Sequence, residues 1–123
     1  MGEQKRVMVL DDEPIVGERF KAALEKEGFA VEVFTESAAA IDRLKETSFP
    51  VLVTDMKMRG PSGMDVLRFA KEKAPATQVI VITGYATIET SHEAQALGAL
   101  QFIPKPFKMK DLVKLVAKAA KGG

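Results

Sequence analysis

Val51-Leu-Val-Thr-Asp55 is an almost continuously apolar, strand-forming run that stops on a carboxylate. An unbroken run, as opposed to an alternating one, reads as a strand covered on both faces. A buried strand that ends in an acid delivers that acid to the edge of its sheet, where water and ligands reach it. Three more runs repeat the arrangement. Arg6-Val-Met-Val-Leu10 leads into Asp11 and Asp12, Gln78-Val-Ile-Val-Ile82 into Thr83, and Gln101-Phe-Ile103 towards Lys105. Four strand ends therefore predict one rim carrying three acids, a hydroxyl and a lysine.

Helical periodicity fills the intervals. Pro14 suits the first turn of a helix, where its missing N–H costs nothing, and Ile15, Val16, Phe20, Ala23 and Leu24 form a stripe that Gly28 stops. Residues 30–34 alternate, as an edge strand with one wetter face does. Thr35 or Ser37 is placed to cap a second helix with Ala38, Ile41 and Leu44 inward. The stretch 56–63 is turn-rich, with Met56 and Met58 partly exposed. A third helix places Met64, Leu67 and Ala70 at helical spacing and ends near Pro75. A fourth runs from about Thr87 to Leu97, and a last one carries Leu112, Leu115, Val116 and Ala119 on one face. Strand–helix alternation predicts an α/β fold, a parallel sheet with helices on both faces and ligands at the carboxyl ends of the strands. With no internal repeat or linker, residues 1–123 read as a single domain.

Composition narrows the class. At 123 residues, 46% hydrophobic and 28% charged, the chain suits one buried core and is not of disordered type. A net charge of +1 argues against holding nucleic acid or an anionic membrane by bulk charge. The absence of cysteine excludes disulfides and thiolate metal sites. No apolar run approaches the ~20 residues of a membrane span, and the polar N-terminus has no signal-peptide core. These features predict a cytoplasmic domain.

Three carboxylates in one cleft raise one another's pKa unless a cation compensates, and oxygen donors select a hard ion such as Mg²⁺. Lys105 is a point charge suited to a phosphoryl oxygen, and Thr83 supplies a hydroxyl. There is no Ser–His pair and no glycine-rich phosphate loop, and His92, the sole histidine, falls inside a helix. The best nucleophile is a carboxylate, which gives an aspartyl-phosphate. Three functions compete. A phospho-switch accepts phosphate at the strand end. A phosphohydrolase usually needs a second acid two residues past the nucleophile, where Lys57 stands. A flavin-binding or interaction-only module of similar fold needs no acceptor, and for flavin the Asp-Asp-Glu turn has the wrong charge. Taken singly, Asp11 or Asp12 can cap the helix at Pro14, and Thr83 can cap the fourth helix. The C-terminal lysines 105, 108, 110, 114, 118 and 121 read first as a wet helix face.

Leu10-Asp-Asp-Glu-Pro14, Asp55, Thr83-Gly-Tyr-Ala86 and Phe102-Ile-Pro-Lys-Pro-Phe107 together resemble the receiver domain of two-component response regulators. The resemblance spans residues 6–120. It implies a flavodoxin-like three-layer fold with strand order 2-1-3-4-5. It also implies that Asp55 accepts a phosphoryl group from a histidine kinase or phosphotransfer protein. Asp12, Asp55 and the Lys57 main-chain carbonyl would then hold Mg²⁺, with Asp11 acting through water or as a supporting acid. By the same resemblance Lys105 holds a phosphoryl oxygen next to a cis bond to Pro106. Thr83 and Phe102 form the switch, and Lys57 and Tyr85 tune how readily water attacks. The implied output surface is the fourth helix, fifth strand and fifth helix, which controls an output domain or effector and pairs in a phosphorylation-dependent homodimer. Two positions depart from the family: Arg59 stands where proline is common, and Phe102 where tyrosine is common. Lys57 and the TGYA stretch look most like receivers attached to transcription activators or hybrid kinases.

Overall fold

A computed structural model describes residues 5–58, 61–84 and 87–121. Its elements follow in strict alternation: β1 (Arg6–Leu10), α1 (Pro14–Lys26), β2 (Ala30–Phe34), α2 (Ser37–Glu46), β3 (Val51–Asp55), α3 (Gly63–Lys73), β4 (Gln78–Thr83), α4 (Ile88–Ala96), β5 (Gln101–Pro104) and α5 (Met109–Ala120). The five strands form one parallel sheet in the order β2-β1-β3-β4-β5, the flavodoxin-like arrangement.

Because neighbouring side chains of a strand point to opposite faces, each central strand supplies two cores. Met8, Leu10, Leu52, Val79 and Val81 pack under α2, α3 and α4, through Ala40, Leu44, Leu67, Ala70 and Ala94. Val7, Val9, Val51, Val53, Ile80 and Ile82 pack under α1 and α5, through Phe20, Leu24, Leu112 and Val116. Three layers result, with both sheet faces covered, and β3 is buried along its whole length. Among the described residues no helix is long and apolar enough to cross a membrane.

Two helical stripes differ from the sequence expectation for one shared reason. In α1 the buried residues are Gly17, Phe20 and Leu24, while Ile15 is 62% exposed. In α2 they are Ser37, Ala40 and Leu44, and Ala38 is exposed. The inward positions of both first turns are small residues that let the helix approach closely, so a count of large apolar side chains shifts the stripe by a residue or two. Gly17 shows how close: a methyl group there would stand 2.5 Å from Val33 Cγ1. Neither Thr35 nor Ser37 caps α2; Glu36 occupies that position without a side-chain bond. Gly28 ends α1 as expected, at φ +91°, a conformation glycine adopts without penalty.

Candidate functional site

The β1, β3, β4 and β5 ends meet at one rim. Asp11 continues β1, its N–H donating to the Phe34 carbonyl at 3.0 Å. Its Oδ1 accepts the Glu13 N–H at 2.9 Å, which tightens the turn into α1. Asp11 and Asp12 therefore do not cap that helix; Glu13 sits at the N-cap with no side-chain bond. Asp55 ends β3, directly beside β1 in the sheet. One carboxylate oxygen from each of Asp11, Asp12 and Asp55 lies within 4.8 Å of the others. Asp11 and Asp55 are buried, and Asp12 is exposed, leaving the cluster one solvent side.

Lys105 reaches into the cluster from the loop after β5. Its Nζ stands 3.0 Å from Asp55 Oδ2 and 3.7 Å from Asp11 Oδ2. The loop is anchored by the Lys105 N–H, which donates to the Thr83 carbonyl at 2.7 Å, and the Lys105–Pro106 bond is cis as expected. Burial alone would lower the pKa of this ammonium, but the hydrogen bond and charge of Asp55, with Asp11 and Glu13 behind it, raise it on balance. Asp11 shifts upward: burial, the largest cause, and the neighbouring charges of Asp55 and Asp12 disfavour its charged form, and the Glu13 N–H and Lys105 offset them only in part. Its Oδ2 is buried with no hydrogen-bond partner among the described residues. Three clustered acids thus have one ammonium beside them, and Asp11 Oδ2, 3.7 Å from that ammonium, makes no hydrogen bond among the described residues, which leaves an all-oxygen donor set with excess negative charge. That set fits a small hard divalent cation and suits neither a soft metal nor an anion.

The remaining expected residues divide. Thr83 is fully buried at the end of β4, so it does not cap α4. Thr87 does, in a reciprocal pair with Thr90. Phe102 lies outside the acid cluster. It is half-buried against the core under α4 and lines a pocket with Thr87, Ile88, Ser91, His92 and Pro104. Val81 pairs with Phe102 and Thr83 with Pro104, so Thr83 and Phe102 project from the same sheet face. Lys57 is exposed, and its N–H donates to Asp55 Oδ1 at 3.2 Å. Tyr85 and Arg59 lie outside the described residues. His92 is exposed on α4, away from the acids, as its helical position suggested. Met56, expected to be partly exposed, is buried: its N–H donates to the Ile82 carbonyl, which prolongs the strand and turns the side chain into the core.

One contributor escaped the sequence reading. The buried Thr54 hydroxyl donates to the Asp55 carbonyl at 3.0 Å and fixes the peptide that follows. Its signal was there, since a hydroxyl inside an apolar strand needs a partner.

Comparison with known proteins agrees with this geometry. Residues 7–117 match the model of the response regulator receiver domain. The acid tolerance regulatory protein ActR of Rhizobium meliloti is 33% identical over 92% of this chain, which spans 58% of that relative's length. The response regulator receiver protein CpdR of Brucella abortus is 32% identical over 93% of this chain and 95% of its own. Among solved structures, the beryllofluoride-activated NtrC4 receiver domain dimer superposes with a TM-score of 0.88 at 35% identity, covering 95% of this chain and 97% of that one. Strand order, the acids at the ends of β1 and β3, and a match over nearly the whole sequence converge: this chain belongs to the receiver-domain family of response regulators.

Proposed function

We propose that this chain is a phospho-switch in which Asp55 takes a phosphoryl group from a phosphohistidine on a histidine kinase or phosphotransfer protein. The observation that carries the reading is Asp55 itself, at the end of the central strand, 3.0 Å from Lys105 and within the three-acid cluster. A carboxylate oxygen of Asp55 attacks phosphorus, the donor's P–N bond breaks, and the imidazole leaves. Lys105 turns from Asp55 to the incoming phosphoryl oxygen, which keeps one ammonium opposite one anionic oxygen. Asp12, Asp55 and the main-chain carbonyl of Lys57 would hold Mg²⁺, with Asp11 acting through water. When bound, the ion neutralises charge on the transferred group and on the acids around it.

Thr83 and Phe102 pass the change on. In this reading the Thr83 hydroxyl moves towards the phosphoryl group and Phe102 turns inward from its pocket beside α4. That is a population shift between two packings of the α4–β5–α5 face. By their positions in the family pattern, Lys57 and Tyr85 set how fast water removes the phosphoryl group. The chain catalyses only its own phosphorylation and dephosphorylation, acts in the cytoplasm as one receiver unit, and controls an output domain or effector protein through the switched face. A phosphorylation-dependent homodimer is part of the reading, supported by the dimeric NtrC4 receiver.

The test is intact-mass analysis after incubation with acetyl phosphate. A gain of one phosphoryl group is expected with Mg²⁺, and none with chelator or in Asp55→Asn. A gain that persists in Asp55→Asn overturns the assignment.

A further inference from the structure

Gly63, the first residue of α3, rests on the acceptor backbone and not on a side chain. A methyl group on its Cα would meet the Asp55 carbonyl oxygen at 2.0 Å, the Met56 Cα at 2.7 Å and the Asp55 carbonyl carbon at 2.8 Å. All three are main-chain atoms, so no rotamer change relieves the overlap. The Gly63 N–H donates to the Met56 carbonyl at 2.8 Å. The same short stretch is held from its other sides. The Thr54 hydroxyl donates to the Asp55 carbonyl at 3.0 Å. The Met56 N–H donates to the Ile82 carbonyl at 3.0 Å, and the Lys57 N–H to Asp55 Oδ1 at 3.2 Å. The helix end pressing on it is fixed by the reciprocal Ser62–Asp65 cap.

We infer that Gly63 is a positioning residue for phosphoryl acceptance. Its missing Cβ lets the N-terminus of α3 close onto the Asp55–Met56 backbone, and that contact sets where the Asp55 carboxylate and the Lys57 carbonyl stand relative to Asp12 and Lys105. The inference rests on the reading of Asp55 as acceptor. A side chain at residue 63 must push either α3 or the acceptor peptide aside. Displacement of a reacting group by about 1 Å costs on the order of a hundredfold in rate. Gly17 supplies the control. It too is crowded, but by the Val33 side chain alone, between α1 and β2.

Wild type, Gly63→Ala and Gly17→Ala are compared in two measurements: Mg²⁺ titration followed by the amide shifts of residues 55–58, and the initial rate of phosphorylation by acetyl phosphate at saturating Mg²⁺. Gly63→Ala is expected to weaken Mg²⁺ binding and slow phosphorylation, each by about tenfold or more. Gly17→Ala is expected to lose thermal stability while both readouts stay within about twofold of wild type. Gly63→Ala behaving like Gly17→Ala in both readouts overturns the inference. If Gly63→Ala does not fold, Ser62→Ala decides, because it frays the same helix end without adding an atom. A Mg²⁺ midpoint raised about threefold or more over Gly17→Ala supports the inference, and an unchanged midpoint overturns it. Wild type that gains no phosphoryl group sinks the acceptor reading itself, a result separable from a Gly63→Ala variant that merely matches wild type.

Discussion

Asp11 and Lys105 sit 3.7 Å apart, yet their removal has opposite consequences for the folded state. Asp11 is fully buried, and one of its oxygens has no hydrogen-bond partner among the described residues. Asp11→Asn keeps an oxygen for the Glu13 N–H and removes the buried charge. It is expected to raise metal-free stability by about 1 kcal/mol in urea unfolding, and to lose part of the stabilisation that added Mg²⁺ provides. Lys105→Met removes the ammonium that faces Asp55 and Asp11. Because Lys105 is part-exposed, the cost falls short of that for a dry ion pair: about 1–2 kcal/mol lower stability in the same experiment. Both effects follow from crowding acids for function at the expense of stability. These residues were legible in the sequence because each follows an unbroken apolar run that had to be a strand. Thr83 was harder to assign, because a threonine that ends a strand and one that starts a helix look alike. The partner three residues on separates them: Thr87 has Thr90, whereas Thr83 has only Ala86.

Among the elements, the strands and the inward faces of α3 and α5 were readable to within a residue, and the inward faces of α1 and α2 were not. Continuous Val/Ile/Leu runs admit only a two-sided burial, but the inward faces of α1 and α2 begin at Gly17 and Ser37, which hydrophobic counting passes over. Met56 was misjudged because a main-chain bond to Ile82, invisible in sequence, carries the strand one residue into its loop. The helix starts are unequal as well. α3 has a reciprocal cap, whereas α1 and α2 begin on glutamates that make no cap bond. Glu36→Ser places a hydroxyl at an extended N-cap and is expected to raise stability by about 0.5–1 kcal/mol, read as a shift in urea midpoint without a change in slope. The α3 cap also depends on pH. The Ser62 backbone N–H, then the Ser62 hydroxyl and Arg68, hold the Asp65 carboxyl below its ordinary 3.8 against a smaller cost of burial. The unfolded chain therefore takes up this proton first as pH falls. The stabilisation is complete above about pH 4 and disappears as pH drops through the folded value. Asp65→Asn is expected to lose stability at pH 7, with the gap to wild type closing on the acid side of pH 4.

For the molecule as a whole, strand order does the assembling. Placing β1 beside β3 and β4 beside β5 gathers residues 11, 12, 55 and 105 at one rim, while the two cores hold the strands rigid beneath it. Thr83 and Phe102 lie on the sheet face covered by α4, the face on which the proposed switch acts. Phosphorylated wild type is expected to show a higher weight-average mass by light scattering than Asp55→Asn under the same conditions. Equal masses would remove self-association from the switch. The most direct measurement is where the phosphoryl group lands. After treatment with acetyl phosphate and Mg²⁺, borohydride reduces an aspartyl-phosphate to homoserine, and tandem mass spectrometry then identifies the altered residue. Homoserine at position 55 is the expected result; homoserine at position 11 or 12, or at no position, contradicts it.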